Sequence, residues 1–257
     1  MKIIKPKSLE EFIEIFNLLY NSGNDYYRGQ ADAKWDIIPG LARNKNIFSS
    51  FFDVESQLNN NFVEKINDLR LNHLVPIVED SYHESWQLLM ASQHYGLPTR
   101  FLDFSNDKFV ALGFAIFDSQ NLDKDSSIII YNNADKNQIN DEKFFKTPFS
   151  SFEKSFFMQA PIFKWKVDND TKLAEIRKFI QGSKFFYRGN KNIFCCLSLD
   201  NEHSHNLMKL IIPKKIKQNI AEYYIKNENI VNDLYRGKNE IDYCCSVFKN
   251  DFMKIKY

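Results

Sequence analysis

The sequence predicts an α+β protein organised as one compact domain, residues 1–257, around a mainly antiparallel sheet. Strand-like runs in the second half follow one another without helical crossovers, which favours antiparallel pairing. No repeat or linker rich in Pro, Gly or Ser divides the 257 residues. Hydrophobic residues make up 44% and aromatic residues 15% of the chain, enough for a substantial core.

In the first half of the chain, helical spacing and capping residues predict three helices and one strand. Ser8 is a good N-cap for LEEFIEIFNLLYN, with Glu11 at the capping-box position. DYYRGQ follows as a short strand, and residues 35–38 form a second extended piece that ends at Pro39. Helical spacing returns over residues 51–71 and 81–92.

The second half alternates between one helix, several strands and a final helix. Asn106 and Asp107 can cap FVALGFAIF, which therefore reads as a helix, and SSIIIYN is a strand by its β-branched and aromatic content. The polar stretch 132–141 is predicted as loop. FFYRGN, NIFCCLSL and LMKLIIP are predicted as strands, followed by a helix over residues 214–226 and a short element at 243–248. The order of the strands is not predicted.

Charge and cysteine content exclude several function classes. The net charge is +1, from 34 basic and 33 acidic residues, so no global attraction to nucleic acid or an anionic membrane is expected. The cysteines form two adjacent pairs, at 195–196 and 244–245, in strand-like runs. Adjacent strand residues point to opposite faces, so neither pair can present two thiolates to one metal. Buried thiols, no signal-peptide core and no membrane-length run predict a cytoplasmic protein without a membrane partner.

Two short segments concentrate the groups that could bind a ligand. SQHYGLPTRFLDFS, residues 92–105, places hydroxyl, imidazole, guanidinium and carboxylate groups around a Gly-Leu-Pro turn between two apolar runs. Such groups are costly to bury unless they satisfy one another or a ligand. YYRGQ, residues 26–30, adds an arginine on a strand, and arginine binds phosphate or carboxylate oxygens bidentately. The sequence therefore predicts an anion-binding site formed by these segments.

The same segments resemble the FRG domain, a bacterial family named for its Phe/Tyr-Arg-Gly motif. YRGQ, then IPGLAR, then QHYGLPTRFLDFSNDKFVALGFA are similar to that family's motifs, with Tyr95 and Phe104 as conservative changes. IIPKKIKQNIAEYYIKNENI is similar to the family's lysine-bearing helix. The family's later Arg with Gln four positions on is matched only by Arg188 with Asn192. The motifs are specific for membership of the family and do not specify an activity. FRG-like domains occur in bacterial chains that look like components of defence or toxin systems, so the resemblance suggests a role in such a system for this chain.

A more distant resemblance, to ADP-ribosyltransferases, suggests NAD as the cofactor. There a Tyr/Phe-Arg-Gly strand holds the NAD phosphates, and a Ser-Thr-Ser-like motif precedes an apolar run; residues 27–29 and 103–115 are similar in order and content. The Ser-Thr-Ser motif is replaced by Phe104-Ser105-Asn106. The late glutamate of those enzymes has only positional candidates here, Glu202 and Glu240.

These resemblances and the residue chemistry together give a set of candidate site residues. The catalytic candidates are His94, Arg28 and Asp103: His94 as acid or base near neutral pH, and Asp103 to orient an arginine. The candidate ligand-binding residues are Tyr27, Arg28, Gly29, Gln30, Gln93, His94, Thr99, Arg100, Ser105 and Arg188. Gly29 is expected to let a ligand approach the strand, and Arg100 to contact a second phosphate oxygen. No metal site is predicted.

Structural alternatives stay open for these residues. Arg28 pairs equally well with a carboxylate such as Asp103, and Arg100 with Asp103 would fix the loop as a buried ion pair. The only paired-imidazole sequence, HSH at 203–205, lies in a polar loop and is expected to be solvated, as is the lysine run at 214–217. The alternative to an enzyme is a sensing or docking module that binds a nucleotide, nucleic acid or partner protein through the same pocket.

Overall fold

The structure, a computed structural model, describes residues 1–19, 25–43, 51–68, 86, 89–90, 92–93, 97–132, 153–159 and 183–227. Its centre is one sheet of seven strands: β1 (Lys2–Ile4), β2 (Asp25–Gln30), β3 (Phe101–Ser105), β4 (Ser126–Asn132), β5 (Phe156–Gln159), β6 (Ser183–Tyr187) and β7 (Leu207–Ile212). Several predictions fall outside the described residues: His94, the loop at 132–141 beyond its first residue, Glu240, the cysteines at 244–245 and the element at 243–248.

The strands lie in the order β1-β7-β4-β2-β3-β6-β5. Every neighbouring pair is antiparallel except β1 and β7, which run parallel with Lys2 opposite Met208. The predicted α+β class with a mainly antiparallel sheet is therefore confirmed. β2 and β3, which carry the two candidate motifs, are neighbours near the middle of the sheet.

Four helices have their bounds within the described residues, and the sequence predicted all four: α1 (Leu9–Leu18), α2 (Phe51–Asp68), α3 (Lys108–Ile116) and α4 (Lys214–Asn227). Ser8 caps α1 by accepting from the Glu11 N–H at 3.3 Å, and Glu11 in turn accepts from the Lys7 N–H at 2.7 Å. Asp107 caps α3 by accepting from the Phe109 N–H at 2.8 Å. Local capping chemistry thus fixes where these helices begin.

Each face of the sheet carries its own apolar core, because side chains alternate along the strands. Ile128 and Ile130 of β4 pack in a cluster with residues of α1, α3 and α4, while Ile129 and Tyr131 pack on the opposite face in a cluster with residues of α2. Tyr27 belongs to the first face and Tyr26 to the second. By the same alternation, Arg28 and Gln30 lie on the α2 face.

Three segments differ from their predictions. NIFCCLSL is not a strand but a pair of 3₁₀ turns, Asn190–Asn192 and Leu197–Leu199, joined by irregular chain. Residues 35–38 belong to no strand, although Ile37 accepts a hydrogen bond from the Leu197 N–H. FLDFS, expected within the polar turn, is the strand β3, a neighbour of the central strand β2. None of the described helices has the length and apolar content that crossing a bilayer requires.

Candidate functional site

The candidate site lies where β2 and β3 separate. These strands pair at a single position, Tyr27 opposite Ser105. Beyond this pair, a side-chain bond replaces the backbone bonds between the strands: Arg28 Nη1 donates to the backbone carbonyl of Asp103 at 2.7 Å. The contact is with the carbonyl and not with the carboxylate that the structural alternative proposed. The YRGQ and LPTRFLDFS segments are thus joined through Arg28.

The turns that follow each motif also pack together. The Leu41 N–H donates to the Thr99 carbonyl at 3.1 Å. A Cβ built on Gly40 would lie 3.1 Å from the Pro98 Cα, so the Ile-Pro-Gly and Leu-Pro-Thr turns are in close contact. This contact sets the position of Arg43, the last residue of the short 3₁₀ helix Leu41–Arg43.

Arg28 is an under-satisfied cation. Its side chain is partly exposed, but its Nε is buried and has no hydrogen-bond partner among the described residues. Burial lowers the pKa of Arg28; the nearby Asp103 charge opposes that shift and the nearby Arg43 charge adds to it. Two guanidinium groups close enough to repel each other form a local positive site, and arginine remains protonated there because its intrinsic pKa is so high.

A chain of hydrogen bonds ties three predicted site residues together beside Arg28. Gln93 Nε2 donates to the Asp103 carboxylate at 2.7 Å, and Thr99 Oγ1 donates to Gln93 Oε1. The Phe101 N–H then donates to Thr99 Oγ1 at 3.1 Å. The chain holds the exposed Asp103 side chain in a fixed direction at the β2/β3 separation.

Arg100 is engaged inside the protein. It is fully buried and forms a bidentate pair with Glu55 of α2, with Nε donating to Oε1 at 2.7 Å and Nη2 to Oε2. Its Nη1 also donates to the Tyr187 hydroxyl and to Asn190 Oδ1. The pair is with Glu55, not with Asp103 as the ion-pair alternative supposed. These bonds occupy the guanidinium edge that the predicted phosphate contact would need.

Arg188 is engaged in the same way. Its Nη1 donates to Asp200 Oδ2 at 2.7 Å, and its Nη2 to the carbonyls of Asn192 and Cys195, with both charged side chains fully buried. The predicted phosphate contact would require breaking this pair. Arg188 lies directly after β6, and its backbone N–H donates to the Arg100 carbonyl at 3.3 Å, so the two buried ion pairs are linked through the backbone.

Tyr27, Gly29 and Ser105 lie on the face of the sheet that α1, α3 and α4 cover. The Tyr27 hydroxyl donates to the Leu19 carbonyl, and burial, with smaller contributions from Asp25 and Asp107, raises the pKa of Tyr27 to about 12. Ser105 Oγ accepts from the Asp107 N–H at 2.9 Å, at the start of α3. A Cβ on Gly29 would lie 2.0 Å from the Ala111 carbonyl oxygen, so the space beside Gly29 is filled by α3 and not by a ligand.

This arrangement of motifs is matched by a family comparison. Residues 23–124, which include β2, α2, β3 and α3, match the model of the FRG domain. The chain contains an FRG domain. No curated protein and no solved structure matches the chain significantly. The predicted FRG resemblance is therefore confirmed, on the segment that carries both site motifs.

The loop that leaves β2 in the FRG domain is held by two lysines that the sequence assigned no such role. Lys209 Nζ donates to the Ala33 carbonyl at 2.6 Å. Lys217 Nζ donates to the carbonyls of Asn121 at 2.9 Å and of Ala31 and Lys124 at 3.4 Å. Lys217 was expected on a solvated face but is only 3% exposed, and burial lowers its pKa. The sequence did hold a sign of this burial: Lys217 is one turn into α4, beside the apolar positions Ile216 and Ile220, which belong to the core.

Metal binding finds no support in the described part of the FRG-domain chain, where no three His, Cys, Asp or Glu side chains are grouped to hold an ion. The HSH sequence, expected to be solvated, has His203 buried at 4% exposure with Nδ1 2.9 Å from the Tyr131 hydroxyl. The turn after Asp200 folds His203 back onto the sheet. The prediction of a solvated His203 was wrong because the sequence does not show this fold-back.

Burial of His203 predicts acid sensitivity. Burial lowers the pKa of His203 from its ordinary value of 6.5, so the unfolded chain takes up this proton first. Its contribution to stability is complete above pH 6.5 and is lost as the pH falls. Thermal unfolding between pH 7.5 and 5.5 should show a Tm that falls less steeply for His203→Gln than for the parent. Equal slopes would contradict the assignment; His205→Gln, on a less buried neighbour, is the control.

Proposed function

We propose that the FRG domain binds a phosphate-bearing nucleotide ligand, of the NAD type, at the separation of β2 and β3. The observation that carries the proposal is Arg28: a guanidinium on the central strand, with a buried Nε that lacks a partner among the described residues and a second guanidinium, Arg43, nearby. A phosphate group against the exposed part of the Arg28 side chain would offset the repulsion and accept hydrogen bonds from the guanidinium.

NAD-dependent ADP-ribosyl transfer is the reaction that we propose for this site. In that reaction the bond from the ribose C1′ to the nicotinamide nitrogen breaks, nicotinamide leaves with the bonding electrons, and an acceptor atom bonds to C1′. Asp103 is the carboxylate whose charge acts most strongly on Arg28, and Gln93 fixes its direction. A fixed carboxylate beside the phosphate site would stabilise the positive charge that develops on the ribose.

The second candidate is a sensing or docking module within a defence or toxin system, which binds the nucleotide without reaction. Two observations favour it. Asp103 already accepts a hydrogen bond from Gln93. Glu202, the described candidate for the late glutamate, is an exposed turn residue beside Asp200 and His203. A sensor needs Arg28 for affinity but no free catalytic carboxylate. Release of nicotinamide from NAD by the purified chain, lost in Asp103→Asn, would support the enzyme; NAD binding without release would support the sensor.

Removal of the Arg28 guanidinium tests the proposed site. Calorimetric titration with NAD, ADP-ribose, ATP, inorganic pyrophosphate and a short single-stranded RNA should show binding of NAD or ADP-ribose by the parent. Arg28→Ala should weaken that binding roughly 10- to 100-fold, because a hydrogen bond to a charged group is worth about 1.5–3 kcal/mol. Arg28→Lys should recover only part of the affinity, since Lys cannot bind bidentately.

A control separates the site from general charge. Lys191 is an exposed cation on the turn after β6, and Lys191→Ala should leave the affinity unchanged. If the parent binds none of the nucleotides in this titration, the proposed nucleotide site is wrong, and protein partners should be sought instead. If Arg28→Ala loses thermal stability as well as binding, Arg28 instead has a structural role through its bond to the Asp103 carbonyl.

A further inference from the structure

An exposed tryptophan lies on the loop that leaves β2. Trp35 is 44% exposed, whereas Trp86 is 2% exposed and packs in the core. Tryptophan is highly buried on average, because its large ring gains more from leaving water than most side chains do. The residues on either side, Lys34 and Asp36, are exposed as well. The Trp35 ring is therefore available for contact with a ligand.

Two side chains of the sheet hold this loop on the face that α2 covers. Lys209 Nζ donates to the Ala33 carbonyl at 2.6 Å, and Gln30 Nε2 donates to the Asp36 carbonyl at 3.4 Å. Both side chains lie on the α2 face, by the alternation along β7 and β2. Trp35 lies between the two residues that accept these bonds, so its backbone is fixed on the same face as the proposed phosphate site.

The segment 35–43 connects this tryptophan to the second cation of the phosphate site. The Ile37 N–H donates to Cys196 Sγ at 3.3 Å, and the Ile37 side chain packs in the core on the α2 face. The segment ends at Arg43, whose charge acts on Arg28. One fixed segment thus has an exposed indole ring at its start and a guanidinium of the site at its end.

The distances across the sheet fit a single bound nucleotide. Arg28 and Lys209 are both opposite Ile129 of β4, on its two neighbouring strands. Two strand spacings separate their backbones by about 10 Å, and Gln30 is about 7 Å from Arg28 along β2. These separations are comparable to the length of a mononucleotide from its phosphate to its base. A nucleotide with its phosphate on Arg28 can therefore extend its base to Trp35.

The chemistry of an indole ring specifies which part of the nucleotide it would contact. Nucleobases stack on aromatic side chains, and such stacking occurs with every base because each has a flat π-face. Stacking needs one open ring face and no enclosed cavity. The exposed ring of Trp35 meets this requirement.

We infer that Trp35 is the surface on which the base of the bound nucleotide stacks while Arg28 holds its phosphate. This inference rests on the proposed function. It makes the site bind complete nucleotides more tightly than sugar phosphates, with little preference among the bases.

The test compares three probes on the full chain: AMP, ribose 5-phosphate and inorganic pyrophosphate. Calorimetric titration of the parent should show AMP binding roughly five- to 100-fold more tightly than ribose 5-phosphate, which lacks only the base. Trp35→Ala should reduce that preference below about twofold. It should bind ribose 5-phosphate and pyrophosphate as the parent does, because it leaves Arg28 intact.

Tryptophan fluorescence gives a second readout that does not depend on affinity. AMP should quench the emission of the parent, because the base stacks on an indole, and ribose 5-phosphate should not. Trp35→Phe keeps an aromatic ring, so it should keep most of the preference for AMP but lose the quenching. The chain has three tryptophans, so this loss assigns the signal to Trp35. If Trp35→Ala does not fold, Trp35→Phe decides: quenching that persists overturns the inference.

Phe114→Ala provides a matched control. Phe114 is 40% exposed, close to the exposure of Trp35, but it lies on α3, which packs on the opposite face of the sheet. Its replacement should leave both the preference for AMP and the quenching unchanged.

The outcomes separate the two proposals. A parent that binds pyrophosphate but binds AMP no more tightly than ribose 5-phosphate, or a preference that persists in Trp35→Ala, overturns the role of Trp35 and leaves the phosphate site standing. Loss of pyrophosphate binding in Trp35→Ala also overturns it, since Trp35 would then support the phosphate site and not the base. A parent that binds none of the three probes overturns both proposals.

Discussion

Glu55→Leu is expected to lower the free energy of unfolding by roughly 3–5 kcal/mol, the usual cost of breaking a buried ion pair. Glu55 is 2% exposed and is the only described carboxylate bonded to Arg100, which is fully buried. Burial raises the pKa of Glu55, and Arg100 counters that shift, so the carboxylate depends on this partner. Without Glu55, the Arg100 charge is left buried without compensation. Urea denaturation followed by circular dichroism measures the change.

A double variant separates the charge from the packing. Glu55→Leu with Arg100→Met removes both charges and fills a similar volume, and such replacements of buried pairs are often nearly neutral. The double variant still loses the bonds from Arg100 to Tyr187 and Asn190, so its stability should lie between the single variant and the parent. A single variant that unfolds like the parent, or a double variant no better than the single, would contradict the assignment.

Gly29→Ala should be the second most disruptive single change. The added Cβ would lie 2.0 Å from the Ala111 carbonyl oxygen and 2.8 Å from the Ala115 nitrogen, both of them backbone atoms of α3. No side-chain rotation relieves a contact with backbone, so α3 must move away from β2. Overpacking of this kind costs about 1–3 kcal/mol. The same movement should displace Arg28, so ligand affinity should fall along with stability.

Gly40→Ala is the matched control for this prediction. Its Cβ would lie 3.1 Å from the Pro98 Cα, a tight contact that a shift of a few tenths of an ångström relieves. Denaturant titration should place Gly40→Ala between the parent and Gly29→Ala. An unchanged midpoint for Gly29→Ala would show that β2 and α3 are packed less closely than the structure has them.

Local signals in the sequence were sufficient for the four described helices and for strands β2, β4 and β7. Ser8 and Asp107 fix the starts of α1 and α3, and the β-branched run of β4 has no competing interpretation. β3 was missed because FLDFS follows Pro98 and contains Asp103, which suggested a turn. NIFCCLSL was misassigned because its apolar side chains, Ile193 and Leu197 among them, pack in the core on the α2 face from 3₁₀ turns and irregular chain, and not from a strand.

The candidate site was predictable only in part, since its residue types are local but their partners are not. YRGQ and LPTRFLDFS were found from their composition. Glu55, which decides the role of Arg100, lies 45 positions away on a helix with no motif of its own. Its pairing is a tertiary contact between α2 and the residue that precedes β3, and no spacing rule along the chain indicates it.

The sheet order determines when this protein can complete its fold during synthesis. Within the matched FRG segment, β2 and β3 meet each other, but the other neighbour of β2 is β4 and the other neighbour of β3 is β6, and both follow that segment. β1, the first described strand along the chain, pairs with β7, the last one. A nascent chain therefore exposes unpaired central strand edges until residues 183–212 leave the ribosome, and its contacts of long sequence separation favour slow folding.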